Sequence, residues 1–270
     1  MNLLILDSID TKTFGGYQNW ICLIAPELSK RGHKVFVVSR PNSEYFKRFD
    51  EHPIGMKIIE LPISGDFNPF TIAKLAQLFK RENIDVVICD FNKDVRLGGL
   101  AARFSNRPKV IWHLGLNITK NNFVHRFLTP RLIDAAVVPS ADLKREIVAS
   151  GYIDAKIVTV IPHGIPELGF YFDKTEANRD LRIKYDIPID NSIAVTSGRF
   201  VSQKGHKYLV EAAREIVAKF PSVTFLLLGD GPLENKLKAK VAEYNLENHF
   251  VFAGMQIGRA SCRERVSSPV

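Results

Sequence analysis

The chain is short of cysteine, of long apolar stretches and of any concentrated run of charge. Its three cysteines, Cys22, Cys89 and Cys262, have no metal or redox spacing and suit a reducing compartment. Apolar runs such as Ala135–Pro139 and Phe225–Leu228 fall far short of the roughly 18 residues that a membrane-spanning helix needs. The opening Met1-Asn2-Leu3-Leu4-Ile5-Leu6-Asp7 has no basic leader and turns polar after Leu6, so it reads as a first strand rather than a signal peptide. No Lys/Arg tract, RNA-recognition signature or zinc-finger spacing is present, so nucleic acid is not an expected partner. Lys plus Arg still exceeds Asp plus Glu by 37 to 29, a net charge of +8. That balance favours anionic partners such as nucleotides, phosphates, acidic glycans or a membrane surface, without choosing among them. A soluble, cytoplasmic chain is expected, with room in 270 residues for two domains at most.

Short, nearly continuous apolar runs recur along the chain. They are Leu3–Leu6, Lys34–Ser39, Lys57–Leu61, Asp85–Cys89, Lys109–His113, Ala135–Pro139 and Ile157–Ile161, then Ile193–Ser197, Val223–Leu228 and Phe250–Phe252. Runs without period-two alternation are expected of strands buried on both faces of a parallel sheet. Helical spacing falls between them: Trp20, Ile21, Ile24 and Leu28 share one face of 17–31, and Ile72, Leu75, Ala76 and Phe79 share another. Two more helices are expected over 206–220 and 232–244. The alternation implies an α/β chain of two Rossmann-like lobes. We place the first lobe at 1–163, an interdomain crossover rich in Pro, Gly and mixed charge at 164–188, and a smaller second lobe at 189–256. Residues 257–270 have no apolar periodicity and read as a disordered or foreign tail; 257–266 resembles the translation of a common short-read sequencing adapter.

Several loops carry residues suited to phosphate chemistry. Gly15-Gly16 stands between the first strand and the first helix, where backbone N–H groups can approach a phosphate, although a tight turn explains the pair equally well. It is not a Gly-x-Gly-x-x-Gly fingerprint, and no acidic residue stands some twenty positions on, which disfavours a dinucleotide dehydrogenase. Gly198, Arg199, Lys204 and Gly205 bound a loop between a strand and an amphipathic helix. A planar guanidinium and a compact ammonium there suit a diphosphate leaving group. Leu228-Gly229-Asp230-Gly231-Pro232 taken alone is turn chemistry, and Pro162-His163-Gly164 reads as a hinge rather than a catalyst. His113 ends an apolar strand at the expected cleft and is balanced between a satisfied polar residue and a catalyst. His33, His52, His125, His206 and His249 show no ligand spacing, so no metal site is expected. Segment 117–134 mixes Lys120, His125, Arg126 and Arg131 with Phe123, Phe127 and Leu128; a basic helix packing its aromatic face on the core is expected, with peripheral membrane contact as the lesser reading.

Taken in order, these elements resemble a family 4 (group 1) glycosyltransferase of the GT-B architecture, from Met1 to about Gly254. The resemblance rests on Phe14-Gly15-Gly16 with the helix ending at Leu28–Val35, on the strand ending in His113, and on Val138-Pro139-Ser140 followed by Ile161-Pro162-His163-Gly164-Ile165. It rests most on Gly198-Arg199-Phe200-Val201 with Lys204-Gly205, then Leu209 and Ala212, then Leu228–Pro232. It implies retaining transfer of a sugar from a nucleotide-diphosphate donor to the hydroxyl of a glycan or lipid-linked acceptor, with no cofactor and no bound metal. By that resemblance Arg199 and Lys204 stabilise the departing diphosphate, Gly15 and Gly16 contact donor phosphate or acceptor, and His113 lies beside the transferred sugar. Gly198, Gly229 and Gly231 belong to the same donor site. A front-face route assisted by the leaving diphosphate is implied, with no covalent nucleophile. The family's Glu–seven residues–Glu segment does not occur here, which implies a chain cut inside its donor domain and inactive as written. Two other readings stand beside this one: a non-catalytic nucleotide- or glycan-binding protein, and a nucleotide-sugar epimerase, which the Arg199–Lys204 loop disfavours.

Overall fold

The computed structural model describes residues 1–9, 16–43, 55–116, 123–164 and 174–255. The chain divides into a first compact unit over Met1–Ile165 and a second over Pro166–Ala260. The boundary falls inside the segment read from sequence as a crossover.

In the first unit seven strands form one parallel sheet: β1 (Asn2–Asp7), β2 (Lys34–Ser39), β3 (Met56–Glu60), β4 (Val86–Cys89), β5 (Lys109–His113), β6 (Ala135–Val138) and β7 (Val158–Val160), in spatial order β3-β2-β1-β4-β5-β6-β7. Consecutive apolar residues of β1 and β2 serve opposite faces. Leu4, Leu6, Phe36 and Val38 pack with Leu75, Phe79, Leu97 and Ala101 on one side. Leu3, Ile5, Val35 and Val37 pack with Ile21, Cys22 and Ala25 on the other. Each such fully buried aliphatic or aromatic side chain contributes about 2 kcal/mol. The strand order reverses direction at β1 and β4, which is where ligands of open parallel sheets bind, beyond the carboxyl ends of the strands.

Three helices cover this sheet early in the chain: α1 (Gly16–Lys30), α2 (Pro69–Arg81) and α3 (Asn92–Arg103). Asn68 caps α2 by accepting from the N–H groups of Phe70 and Thr71 at 2.9 and 3.1 Å, worth about 1 kcal/mol. No helix was expected over 92–103. It is buried nearly all round, so it shows no polar stripe, and Gly98-Gly99 counts against a helix by propensity. The glycines are there for contact: a Cβ on Gly99 would lie 2.6 Å from Leu132 Cβ and 2.9 Å from the Leu132 carbonyl.

The expected basic helix over 117–134 is shorter than its pattern suggested. Residues 117–122 lie outside the described residues; α4 (Phe123–Phe127) is followed by a 3-10 turn, Thr129–Leu132, where Pro130 cannot continue an α-helix. Phe123 and Phe127 are exposed rather than packed on the core, with ring centroids 4.7 Å apart and the Arg131 guanidinium over Phe127. The unit closes with α5 (Ala141–Ala149), capped by the Ser140 hydroxyl accepting from the Leu143 N–H at 3.2 Å.

In the second unit α6 (Lys174–Tyr185) precedes a three-stranded parallel sheet of β8 (Ser192–Ser197), β9 (Val223–Leu228) and β10 (Phe250–Phe252), ordered β10-β9-β8. Helix α6 lies in the segment read from sequence as a crossover, where its run of charged residues carries no apolar stripe to mark it. Helices α7 (His206–Lys219) and α8 (Glu234–Glu243) contribute Val210, Ala213, Leu237 and Val241 to a core with Phe200, Phe225 and Phe250. Among the described residues no helix is long and apolar enough to cross a membrane. Residues 257–270 lie outside the described residues.

Candidate active site

Each unit carries one candidate centre at the carboxyl ends of its strands. In the first unit the centre begins with three buried carboxylates: Asp7 at the end of β1, Asp90 just past β4, and Asp94 in the first turn of α3. Asp94 accepts from the backbone N–H groups of Ser8 at 3.0 Å and Phe91 at 3.2 Å, and so ties the exits of β1 and β4 together. Asp7 accepts from the Ile9 N–H and from Gln18 Nε2 of α1, both at 3.1 Å. Burial raises the carboxyl pKa of both Asp90 and Asp94, and the neighbouring Asp7 adds to each. Asp90 is pushed up to about 8. For Asp94 the hydrogen bonds from Ser8 and Phe91 pull the other way without cancelling the burial.

His113 ends β5 next to β4, and its whole imidazole is engaged. Nδ1 lies 2.9 Å from Asp90 Oδ1, and Nε2 lies 3.0 Å from Nε2 of His163. Trp112, on the opposite face of β5, donates from Nε1 to the Asp90 carbonyl at 2.7 Å and fixes that backbone. Trp20 of α1 stacks on the His113 ring with centroids 4.1 Å apart and planes 14° apart, and Tyr17 stacks in turn on Trp20 at 5.7 Å. The ring is only 3% exposed, and desolvation pushes its pKa down to about 4. A carboxyl held up and an imidazole held down make Asp90 and His113 a neutral pair near pH 7. His163, beyond the end of β7, is exposed; its pKa is lowered by burial of part of the ring and by His113.

Gly15 lies outside the described residues. A Cβ on Gly16 would meet nothing within 4 Å, so crowding does not account for that glycine.

The second centre is built mostly from backbone. The loop after β8 and the turn after β9 are joined by hydrogen bonds: Gly198 N–H to the Leu228 carbonyl at 2.9 Å, Phe200 N–H to Asp230 at 2.7 Å, and Leu233 N–H to Phe200 at 3.0 Å. The two loops come so close that only glycine fits. A Cβ on Gly229 (φ +148°) would sit 2.1 Å from the Gly198 carbonyl oxygen, and one on Gly231 (φ +151°) 2.8 Å from Phe200 N and O. Gly198 itself has φ +153°. Arg199 and Lys204 are exposed on this frame, with the Lys204 methylenes running alongside Gly198.

Sequence reading missed His206. It is the first residue of α7, 5% exposed, packed edge-on against Phe200 at 5.0 Å, and both of its ring nitrogens lack a hydrogen-bond partner. Burial and then Lys204 lower its pKa, so it is held neutral. It also missed Asp90, Asp7 and Trp20, and took His163 for a hinge. The available signal for these was position: each lies at a strand's carboxyl end or on the helix that follows one.

Comparison with known proteins follows the same division. The Glycosyltransferase Family 4 model matches residues 14–167, and the Glycosyl transferases group 1 model matches 178–259. Over 258 residues the chain is 23% identical to the phosphatidylinositol N-acetylglucosaminyltransferase gpi3 subunit of Schizosaccharomyces pombe, covering 89% of this chain and 53% of that protein. Over 223 residues it is 27% identical to the capsular polysaccharide biosynthesis glycosyltransferase CapM of Staphylococcus aureus, covering 78% and 57%. The chain thus spans little more than half the length of these two relatives. The crystal structure of Anabaena Alr3699/HepE in complex with UDP and glucose shares the fold at TM-score 0.77 and 20% identity, over 97% of this chain and 71% of that one. With one family model spanning more than half of it and the fold class agreeing, the chain belongs to glycosyltransferase family 4 and has the GT-B fold.

Proposed function

We propose that this protein serves the retaining transfer of a sugar from a nucleotide-diphosphate donor to the hydroxyl of a glycan or lipid-linked acceptor, in glycan or polysaccharide biosynthesis. The reading is carried by the glycine-joined loop pair of the second unit. Its backbone contacts hold Arg199 and Lys204 at the carboxyl edge of the β8–β9 sheet, where a developing diphosphate charge would meet a guanidinium fork and an ammonium. In this role they neutralise the leaving group without a resident metal or cofactor. Gly198, Gly229 and Gly231 let the two loops approach, while Gly15 and Gly16 offer backbone N–H groups to donor phosphate or acceptor at the start of α1. The His113 centre of the first unit lies beside the sugar. The anomeric carbon–oxygen bond to the diphosphate breaks, a bond to the acceptor oxygen forms on the same face, and the acceptor's hydroxyl proton passes to the departing diphosphate oxygen, which retains configuration. The exposed Phe123 and Phe127 beside Arg126 and Arg131 suit peripheral contact with the inner face of the plasma membrane, where a lipid-linked acceptor would reside.

The test begins with binding, because the chain matches only 53% and 57% of the length of the two relatives above. UDP is titrated into the 270-residue chain by calorimetry, then into Arg199→Ala and Lys204→Ala. Each substitution is expected to weaken UDP by roughly tenfold or more, as for a lost charge-assisted hydrogen bond. In a donor-turnover assay Arg199→Ala is expected to lower the rate by roughly 10²-fold. Unchanged UDP affinity in both variants would remove the loop from the donor site.

A further inference from the structure

The first-unit centre leaves a chain of three groups to be explained. Asp90, His113 and His163 are joined end to end at 2.9 and 3.0 Å, running from a buried carboxyl to an exposed imidazole. Both nitrogens of His113 are used and Trp20 covers its ring, so His113 offers no free nitrogen to a ligand. His163 does: among the described residues its Nδ1 has no hydrogen-bond partner. We propose that His163 is the ligand-touching end of this centre, donating from Nδ1–H to a sugar oxygen, with its tautomer set by Asp90 acting through His113. The sugar as ligand rests on the function proposed above; the tautomer does not.

Proton counting gives the direction. Two imidazole nitrogens facing each other at 3.0 Å require one to donate and the other to accept. With a protonated Asp90, Oδ1–H donates to His113 Nδ1. His113 is then the Nε2–H tautomer and donates to His163 Nε2. His163 in turn carries its proton on Nδ1, facing outward. Loss of the single Asp90 proton reverses every link: the carboxylate accepts from His113 Nδ1–H, His113 Nε2 accepts from His163 Nε2–H, and His163 Nδ1 becomes a bare acceptor. Three protons occupy the chain in the first state and two in the second. A buried carboxyl thereby fixes whether the exposed imidazole donates or accepts.

The surroundings favour the first state at neutral pH. Asp90 is faced by Asp7 from β1 and shares its burial with Asp94 from α3 and the Cys89 thiol, with no cation among the causes of its upward shift. His113 faces Asp90, His163, Trp20 and Tyr17, and burial alone accounts for its fall. His163 faces His113 and, at 6.1 Å between centroids, Trp20. In this arrangement Asp90 and His113 are positioning residues, and His163 is the residue that meets substrate.

The experiment is long-range proton–nitrogen NMR of the chain labelled with ¹⁵N-histidine, which reads each imidazole tautomer directly. At pH 7 we expect His113 as Nε2–H and His163 as Nδ1–H, with His163 converting to Nε2–H as Asp90 titrates, pushed up to about 8. Asp90→Asn is nearly isosteric and its amide, which can donate or accept, does not titrate, so whichever tautomer His163 adopts in this variant should stay the same across the whole range. His163 as Nε2–H at pH 7, or the same pH course in Asp90→Asn, would overturn the proposal. His163→Gln, at an exposed position that does not threaten folding, supplies the ligand half. UDP-glucose affinity is expected to fall roughly tenfold while UDP affinity stays, since only the sugar meets His163. Equal UDP-glucose affinity in the variant overturns the sugar contact alone. Failure of the wild-type chain to bind UDP overturns the donor reading and the sugar contact with it, and the tautomer result stands or falls on its own spectra.

Discussion

The two units solve the same problem, holding chemistry at the carboxyl end of a parallel sheet, by opposite means. The first encloses β1 and β2 between helices and builds its centre from buried side chains: Asp7, Asp90, Asp94 and His113, each partnered by hydrogen bonds. The second has three strands, with β8 largely exposed, including Val195, and builds its centre from backbone in conformations that favour glycine. A buried polar centre specifies protonation states, because desolvation shifts every titrating group in it. A glycine frame specifies shape, and leaves Arg199 and Lys204 exposed on it.

The sharpest way to break this contrast is to add one side chain to the glycine frame. Gly229→Val is expected to cost the second unit about 4 kcal/mol or more, because its Cβ would overlap the Gly198 carbonyl at a φ that branched residues avoid. Native-state hydrogen exchange would show this as lost protection of β8 and β9 amides, with β1 and β4 unchanged. Equal protection in both units would mean that the loop contact is not what holds the second centre. Asp94→Ala makes the matching test in the first unit. It leaves the Ser8 and Phe91 N–H groups unsatisfied and is expected to cost about 3 kcal/mol by urea denaturation.

Protonation separates the units next. Asp90, raised from 3.8 to about 8, keeps a proton in the folded state that the unfolded chain loses, so its contribution to stability falls as pH rises through that interval. His113, lowered from 6.5 to about 4, acts with opposite sign, and its contribution rises with pH over that lower range. The two offset each other up to pH 6.5, and above it Asp90 acts alone. Between there and pH 8 the first unit is expected to lose about 2 kcal/mol, a loss absent in Asp90→Asn. A flat wild-type profile, measured by denaturation at several pH values, would refute the raised Asp90. The smallest effect belongs to His206→Phe. Its ring nitrogens are unpartnered and its packing against Phe200 is aromatic, so the substitution is expected to change second-unit stability by less than about 1 kcal/mol. A larger loss would reveal a polar role for His206 within the frame.

Local chemistry made much of this legible. Strands such as Leu3–Leu6 and Val223–Leu228 stand out because both faces of a parallel strand must be apolar, and each of the ten expected strands appears with its ends shifted by at most one residue. The Gly198–Gly205 loop stood out because glycine and paired cations between a strand and a helix have few structural uses. Helix α3 was hidden by the same logic: a helix buried on all sides has no polar face to give it period, and its Gly98-Gly99 pair looks like a break until Leu132 is seen against it.

What the sequence determined by itself is the order of strands along the chain, the positions of the turns between them and the placing of Arg199 and Lys204 on a loop, all consequences of interactions between near neighbours. The tertiary structure alone decided that Asp90, His113 and His163, separated by 23 and 50 residues, share two hydrogen bonds, and that Gly229 must clear Gly198. Those contacts depend on which strands lie side by side. That spatial order is set by packing of whole faces, and no local pattern of residues encodes it.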